Sequence, residues 1–138
     1  MAANTTPIFS RLGSIGTVPA VTAANTTKDL TSGTIYLVFT ADATNGSRIS
    51  QLIWHPLGTN TATAGRVWIN NGSTTATAAN NALYRDVTLA GTTNSEVAGL
   101  TQTVMVMDVA LPAGYRIYVT IGTAVAAGFS VTVIGGLY

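Results

Sequence analysis

Cysteine and ionic side chains are what this chain has least of. Among its 138 residues there is no cysteine, charged residues account for 8%, and the net charge is +1. The absence of cysteine excludes a disulfide framework and a thiolate site, so stability must come from packing and strand pairing. Because the chain has no cluster of basic residues, it lacks the positively charged surface that binds phosphate backbones or anionic lipid. We therefore expect neither a direct nucleic-acid partner nor a membrane partner.

Long apolar runs are absent as well, although the chain is apolar on average. No stretch of about 18 apolar residues is present, so no membrane-spanning helix is expected. Mean hydropathy is nevertheless +0.39, whereas protein surfaces normally carry roughly a quarter to a third charged residues. We therefore expect part of the apolar surface to contact another chain. Residues 1–7 lack the basic and apolar regions of a secretory signal, so secretion is not expected.

What the sequence has instead is alternation of apolar and polar side chains in short runs, which predicts β-strands. Turn residues separate the runs, among them Asn45-Gly46 and Asn71-Gly72, which favour tight reversals of the chain. No run has the spacing and capping residues of an amphipathic helix. The predicted strands cover residues 34–40, 48–54, 65–70, 83–89, 103–111, 115–121 and 129–134, and one or two more are expected within residues 1–33.

Short strands without helical crossovers predict an all-β fold, an antiparallel two-sheet sandwich of jelly-roll-like type. A length of 138 residues suits one such domain. The last two runs, joined through residues 122–128, are expected to lie side by side as a hairpin onto which the other strands pair. We place the β-sandwich domain at residues 34–138 and an extended N-terminal arm at residues 1–33.

The predicted arm is rich in Thr, Ala and Asn, yet it carries large apolar side chains. A solvated tail has no need of them, so Ile8, Phe9, Leu12 and Ile15 are predicted to contact a partner, with the backbone adding a strand to a neighbouring subunit. The plain alternative is a flexible leader, because chain termini are often disordered.

The strand predicted at residues 34–40 is apolar on both faces, because Tyr36 and Val38 alternate with residues that are apolar too. An apolar run of this kind is typical of a strand buried on both sides. Either the arm or a second copy of the chain must cover the second face. On this ground Tyr36 and Val38 are assigned to an oligomer interface.

Residues suited to catalysis are few and scattered. His55 is the single histidine, and the 5 acidic residues lie in different predicted elements. One titratable ring without a positioned partner is not a catalyst, and neither a nucleophile elbow nor a phosphate-binding loop is present. We therefore predict that the chain is not an enzyme and has no catalytic residue, no cofactor and no metal. A hydrolase that depends on Asp108 or His55 is the least favoured alternative.

Aromatic side chains are the one feature that suggests a ligand. Alternation places Trp54, Trp68 and Tyr84 outward on their strands, and flat rings on a sheet stack on sugars or contact proteins. These residues are predicted as surface-binding aromatics, which gives an alternative function as a carbohydrate- or receptor-binding module. Burial on the second face of a sheet explains the same residues equally well.

Several short phrases of the sequence carry a family likeness. They are the opening Met-Ala-Ala-Asn-Thr-Thr-Pro-Ile-Phe, Asn-Gly-Ser-Arg-Ile at 45–49, Asn-Asn-Gly-Ser-Thr-Thr at 70–75, and Leu-Pro-Ala-Gly-Tyr-Arg-Ile-Tyr-Val at 111–119 with the C-terminal Gly-Gly-Leu-Tyr. In these phrases, which span most of its length, the chain resembles the small all-β virion proteins of tailed bacteriophages, particularly the head decoration or cement proteins.

This resemblance implies a jelly-roll-like structural subunit, usually a homotrimer, on the outer surface of the phage head. The implied partner is the major capsid protein of the same particle, and the implied site of synthesis is the cytoplasm of the bacterial host. The family implies no catalytic residues, so none are carried over. Head-fibre and tail components share this composition, so the alternative of a carbohydrate- or receptor-binding module in a fibre or tail stays open.

Overall fold

β-Branched and aromatic residues concentrate in short runs, and these runs are strands in the computed structural model, which describes residues 11–138. Such residues favour strands because their side chains pack well on a pleated, half-buried surface. A 3₁₀ turn, Ala78–Asn80, is the one helical element in this range, where no helix is long and apolar enough to cross a bilayer. The strands are β1 Leu12–Val21, β2 Tyr36–Thr40, β3 Ser47–Pro56, β4 Thr63–Asn70, β5 Asn81–Leu89, β6 Thr103–Leu111, β7 Arg116–Ile121 and β8 Phe129–Leu137.

The strands form two four-stranded antiparallel sheets, with the order β1-β8-β3-β6 in sheet A and β2-β7-β4-β5 in sheet B. Eight strands that pass between two sheets in this way form a jelly-roll arrangement. The predicted all-β, two-sheet sandwich is therefore confirmed. Every strand predicted from residue 34 onward is present, and β1 is the strand expected from the N-terminal segment.

The expected hairpin of the last two strands is wrong. β7 pairs with β2 and β4 in sheet B, whereas β8 pairs with β1 and β3 in sheet A. Residues 122–128 carry the chain from one sheet to the other, and the N–H of Gly122 donates to Ala64 O (2.9 Å) at the start of the crossing. A linker of this length spans the roughly 10 Å between packed sheets, whereas a tight hairpin uses about two to five residues.

The core lies between the sheets and contains large side chains from both. Trp54 of β3 contacts the ring of Phe129 of β8 edge to face, with 6.4 Å between ring centroids. Gly65 of β4 lies against the same indole, because an added Cβ would come within 3.0 Å of Trp54 Cζ2. The other core side chains with almost no exposure are Val21, Ile49, Leu52, Val67, Leu89, Ile117, Val119, Ile121, Val131 and Val133.

A β-bulge in sheet A changes which side chains face the core. The register of β3 against both neighbours shifts between Ile49 and Gln51. A bulge adds one residue to a strand and reverses the alternation beyond it. Ile49, Leu52 and Trp54 therefore all point inward and are buried. Asp108 lies opposite this bulge on β6 and has a positive φ of 48°, a backbone conformation that short polar residues tolerate better than most.

Residues 22–35, which connect β1 to β2, cover the middle of the outer face of sheet B and are called the cover segment below. Leu30 is 1% exposed and packs on Trp68 and Tyr118, a cluster separate from the main core. Ile35 packs against the same cluster. Part of the predicted arm therefore covers one face of the chain's own sandwich.

The predicted arm also contains strand β1. Its hydrogen bonds go to β8 of the same chain, with Ile15 opposite Ile134. Leu12 and Ile15 therefore belong to the edge of sheet A, and β1 extends its own sheet where a strand added to a neighbour was expected. Ile8 and Phe9, the other two predicted arm contacts, lie outside the described residues.

Candidate interaction surface

The outer face of sheet A is formed by the side chains that alternate with the core residues of its four strands. Directly paired side chains on one face of a sheet lie about 5 Å apart, so each cross-strand row is a continuous contact surface. In the strand order β1-β8-β3-β6, the first row is Ile15, Ile134, Gln51 and Val106, and the second row is Thr17, Thr132, Ile53 and Val104.

Aliphatic side chains on this face are exposed to solvent. Ile15 is 66% exposed, Val106 is 65% exposed and Val104 is 45% exposed, and Ile53 and Ile134 are half-buried. Contiguous exposed apolar surface larger than a few hundred Å² is typical of a contact site for another molecule.

Charge is almost absent from this face. The strands of sheet A carry Arg48 and Asp108 as their charged residues, and these two form an ion pair with each other. Arg48 is opposite Gly136, so the pair lies at the end of the face, beyond the row that contains Ile134. An exposed ion pair of this kind contributes little to stability. The two rows therefore present an uncharged surface of aliphatic, threonine and amide side chains.

The middle of the outer face of sheet B is covered by the chain itself, whereas Leu37 and Leu83, at the two ends of the row that contains Tyr118 and Trp68, are 47% and 40% exposed. Arg66 Nη1 donates to Asn25 O (3.2 Å), and Arg66 Nε lies 3.3 Å from Asp86 Oδ1. Asn81 Nδ2 donates to Asp29 O (2.9 Å). The hydrogen bonds to Asn25 and Asp29 hold the cover segment against β4 and β5, and the ion pair of Arg66 and Asp86 joins these two strands. In the described part of the chain, the middle of one outer face is thus covered, whereas the other outer face is open to solvent.

Val38, predicted at an oligomer interface, lies in the chain's own core and is 5% exposed. The register of β2 shifts between Leu37 and Phe39. Because of this bulge, Val38 and Phe39 are both buried, and Leu37 is the side chain of this group that stays exposed (47%). Strict alternation fails across a bulge, so the placement of Val38 on a free surface is corrected.

Tyr36, the other predicted interface residue, is half-buried and packs against the core. Its phenol oxygen accepts hydrogen bonds from the N–H groups of Thr22 (3.3 Å) and Ala23 (3.2 Å). Burial raises the pKa of Tyr36, but the hydrogen bonds from Ala23 and Thr22 outweigh burial and hold that pKa below its ordinary value. The side chain therefore anchors the start of the cover segment to β2.

The rings predicted to bind a ligand at the surface lie mostly inside the protein. Trp54 is 0% exposed and Trp68 is 1% exposed. Trp68 does point out of sheet B, but Leu30 covers it, and its Nε1 donates to Thr120 Oγ1 (3.0 Å). Tyr84 is half-buried and packs against the core. Neither indole is available to stack on a sugar in the folded chain, so the carbohydrate-binding alternative loses two of its three predicted residues.

Side chains capable of acid–base chemistry have separate partners. Ser50 Oγ donates to a backbone carbonyl of β8, Asp108 pairs with Arg48, and His55 Nδ1 lies 2.8 Å from the carbonyl oxygen of Pro56. In residues 11–138, no three histidine, aspartate or glutamate side chains come together as a metal site. The fold therefore places these polar groups at different points of sheet A and does not gather them into a cleft.

A cavity of about 340 Å³ opens at one end of the sandwich, beside Pro56, Leu89 and Phe129. The ends of β5 and β6 and the connection between them complete its lining with threonine and glycine residues, Ala90 and Leu100, and no side chain of the lining is charged. Its volume lies near the lower end of the range for small-molecule sites. The lining offers apolar contacts and hydroxyl groups but no acid or base.

Of the apolar residues on the outer face of sheet A, Ile15 was among the predicted partner contacts, whereas Ile53, Val104, Val106 and Ile134 were not among the predicted site residues. The signal for them is present in β6, where Val104 and Val106 alternate with Met105 and Met107. In β2, apolar residues on both faces of the strand were the basis for predicting a contact surface. β6 has the same pattern, which indicates a contact surface on the outer face of sheet A.

Comparison of the chain with protein-family models, with curated proteins and with solved structures finds no match. A function for the chain must therefore be inferred from its fold, its surface and the resemblance of its sequence phrases.

Proposed function

We propose that the chain is a structural subunit of a bacteriophage particle, of the head decoration or cement type, which binds the major capsid protein on the outside of the head. The observation that carries this proposal is an eight-stranded jelly roll with an exposed, apolar and uncharged outer face. Jelly rolls recur in viral capsid proteins, lectins and cupins. The resemblance to phage virion proteins favours the first of these settings, and an exposed apolar face suits a subunit that binds other subunits.

A cement subunit works by adding contact area between neighbouring parts of a shell. The shell presents the same site many times, so copies that also contact one another bind with an avidity above that of a single contact. Apolar contacts suit this role because the hydrophobic effect depends on buried area, whereas exposed charge pairs are screened by salt. The resemblance implies a homotrimer as the self-associated form.

Residues 1–10 act as a tether in this proposal. Ile8 and Phe9 precede β1, which is an edge strand of sheet A. Ten residues reach at most roughly 35 Å when fully extended, which is enough to contact a neighbouring subunit or the shell. Ile8 and Phe9 lie four and three residues before Leu12 in the sequence, so they would supply anchors for a partner next to the edge of sheet A.

Co-sedimentation with phage heads assembled without this protein tests the proposal. The purified chain is titrated onto the heads at low and at high salt, and the bound copies are counted in the pellet. The expected result is saturation at a fixed number of copies per head that persists at high salt, since apolar contacts are not screened. Heads that already carry the protein serve as the control and should take up no more. Binding that fails to saturate, or no binding, contradicts the proposal.

A further inference from the structure

We propose that Asn45, in the turn between β2 and β3, is a site of spontaneous deamidation, and that the fold protects Asn71 from the same reaction. Both residues begin the tripeptide Asn-Gly-Ser, at 45–47 and at 71–73, and both are exposed. Because local sequence and exposure are the same, a difference in reactivity must come from the hydrogen bonds around each asparagine. The inference is independent of the proposed function.

Deamidation of asparagine, a thermolabile residue, is an intramolecular substitution. The backbone nitrogen of the next residue attacks the side-chain carbonyl carbon, the C–N bond of the carboxamide breaks, and ammonia leaves with the proton of the attacking nitrogen. Water then opens the succinimide ring, which gives aspartate by attack at the side-chain carbonyl and isoaspartate by attack at the main-chain carbonyl. A following glycine favours the first step because it has no Cβ. The carboxamide and the next N–H must both be released from their hydrogen bonds.

Few hydrogen bonds restrain the reacting groups at Asn45. No residue between 11 and 138 forms a hydrogen bond with its carboxamide, whereas its backbone N–H donates to the carboxylate of Asp42. The N–H of Gly46 donates to Asp42 O over 3.2 Å, which is at the long end of the range for such a bond. Asp42 O also accepts from the N–H of Gly114 (3.1 Å), so it keeps a partner when Gly46 turns away.

The same groups are held more firmly at Asn71. Its Nδ2 donates to Asn80 Oδ1 (3.1 Å), and its Oδ1 accepts from the N–H of Ser73 (3.1 Å). The N–H of Gly72 donates to the side-chain oxygen of Asn70 over 2.8 Å, and Asn70 is itself buried. Three hydrogen bonds thus restrain the reacting groups of Asn71, whereas one restrains those of Asn45 in the part of the chain that the structure describes.

Conversion at Asn45 changes a tightly packed turn. Gly46 has a positive φ of 79°, and a Cβ added to it would collide with Leu111 O at the end of β6. The N–H of Tyr138 donates to Gly46 O (3.3 Å), which ties the C-terminal residue to the same turn. Isoaspartate lengthens the main chain here by one carbon, and either product adds a carboxylate beside that of Asp42. We therefore expect the deamidated chain to be less stable than the intact chain.

Peptide mapping by mass spectrometry tests the proposal. The full chain is kept in mildly alkaline buffer, either folded or unfolded in guanidinium chloride, and conversion at Asn45 and Asn71 is quantified over time. In the folded chain, Asn45 should convert at least about tenfold faster than Asn71, because each hydrogen bond that must break adds to the barrier. In the unfolded chain the two rates should be equal, because the local sequences are the same.

Two variants test the role of the hydrogen bonds and of the turn. Asn80→Ala removes the partner of the Asn71 carboxamide and should speed conversion at Asn71 without changing the rate at Asn45. Asn45→Ser removes the reactive residue at an exposed position, so its melting temperature should start at that of the wild type and stay constant during incubation. The melting temperature of the wild type should fall as Asn45 converts.

Three results overturn the proposal. They are an Asn45 that stays intact in the folded chain, an Asn71 that converts there as fast as Asn45, and a ratio of the two rates that is the same in the folded and the unfolded chain. Conversion at Asn45 that leaves the melting temperature unchanged refutes the expected weakening of the turn.

Discussion

Gly16 of β1 faces the backbone of β2 at the side of the sandwich where these two strands meet. A Cβ added at Gly16 would collide with the carbonyl oxygen of Val38, whereas a Cβ added at Gly13 of the same strand has no atom within 4 Å. We expect Gly16→Ala to lower the free energy of unfolding by about 1–3 kcal/mol, because backbone cannot move aside as a flexible side chain does. Gly13→Ala should change it by less than about 0.5 kcal/mol.

Urea denaturation of the two variants measures this difference, and the slope of unfolding against urea should match the wild type in both. Equal destabilisation by Gly13→Ala and Gly16→Ala would show that glycine is needed for chain flexibility in β1 and not for the close approach to β2.

Single residues also show where the side-chain pattern predicts the wrong face of a strand. Alternation places Ile49 and Trp54 on opposite faces of β3, yet both lie in the same core because a bulge follows Ile49. The bulge of β2 likewise brings Val38 inside. A bulge is a property of backbone pairing between strands, and it leaves no trace in the side-chain pattern of one strand. The identity of apolar strand residues was predictable, but the face of residues beyond a bulge was not.

At the scale of elements, the cover segment depends on Leu30. This side chain is buried on Trp68 and Tyr118, and its residue has a positive φ of 64° that a leucine rarely adopts. We expect Leu30→Ala to cost about 2–5 kcal/mol of unfolding free energy, as for other buried leucines. Tryptophan emission should shift to longer wavelength as Trp68 meets water, while Trp54 stays in the core.

Leu37→Ala is the matched control for this element, because Leu37 is 47% exposed on the same sheet. Its unfolding free energy should fall by less than about 1 kcal/mol, with the emission maximum unchanged. An emission maximum that stays unchanged in Leu30→Ala would show that the segment does not shield Trp68.

The β2–β3 turn contains a carboxylate that links stability to pH. The N–H groups of Asn45 (2.7 Å) and Thr44 (3.0 Å) donate to Asp42 Oδ1, and these hydrogen bonds lower the pKa of Asp42. A depressed folded pKa contributes stability above the unfolded value, about 3.9, and this contribution is lost as pH falls through the folded value. We expect Asp42→Asn to melt below the wild type at pH 7 and level with it in strong acid. A gap independent of pH would contradict this.

Pairing of elements was less predictable than their existence. The run at 103–111 is β6 to the residue, but the partners of β7 and β8 were not foreseen. The side-chain pattern of a strand reports burial and does not identify the neighbouring strand. β8 also continues through Gly135 and Gly136, past its predicted end, because glycine lets the backbone of β3 approach closely: a Cβ on Gly135 would collide with Arg48 O.

At the scale of the whole molecule, low charge and high hydropathy have different consequences on the two sides of the sandwich. Sheet B buries Trp68 and Tyr118 of its outer face, because the chain folds back over them, while Leu37 and Leu83 at the ends of the same row stay exposed. Sheet A presents its outer aliphatic residues to solvent. The composition predicted that some apolar surface would need a partner, but only the pairing of β1, β8, β3 and β6 brings residues such as Ile15 and Val106 onto one surface. Composition alone could not locate it.

The last prediction concerns the proposed tether, residues 1–10, and the fold determines which variants can test it. Deleting residues 1–15 would remove the start of β1 from sheet A, so a loss of binding could follow from damage to the sheet. Replacing Ile8 and Phe9 by serine leaves β1 intact, and Ala2→Ser with Ala3→Ser is the control. Burial of a large apolar side chain is worth about 1.5–3 kcal/mol, so the Ile8 and Phe9 double variant should bind phage heads at least about tenfold more weakly, with an unchanged melting temperature. Equal binding by this variant and the control would show that the shell is held without these residues, and sheet A would then have to supply the contact.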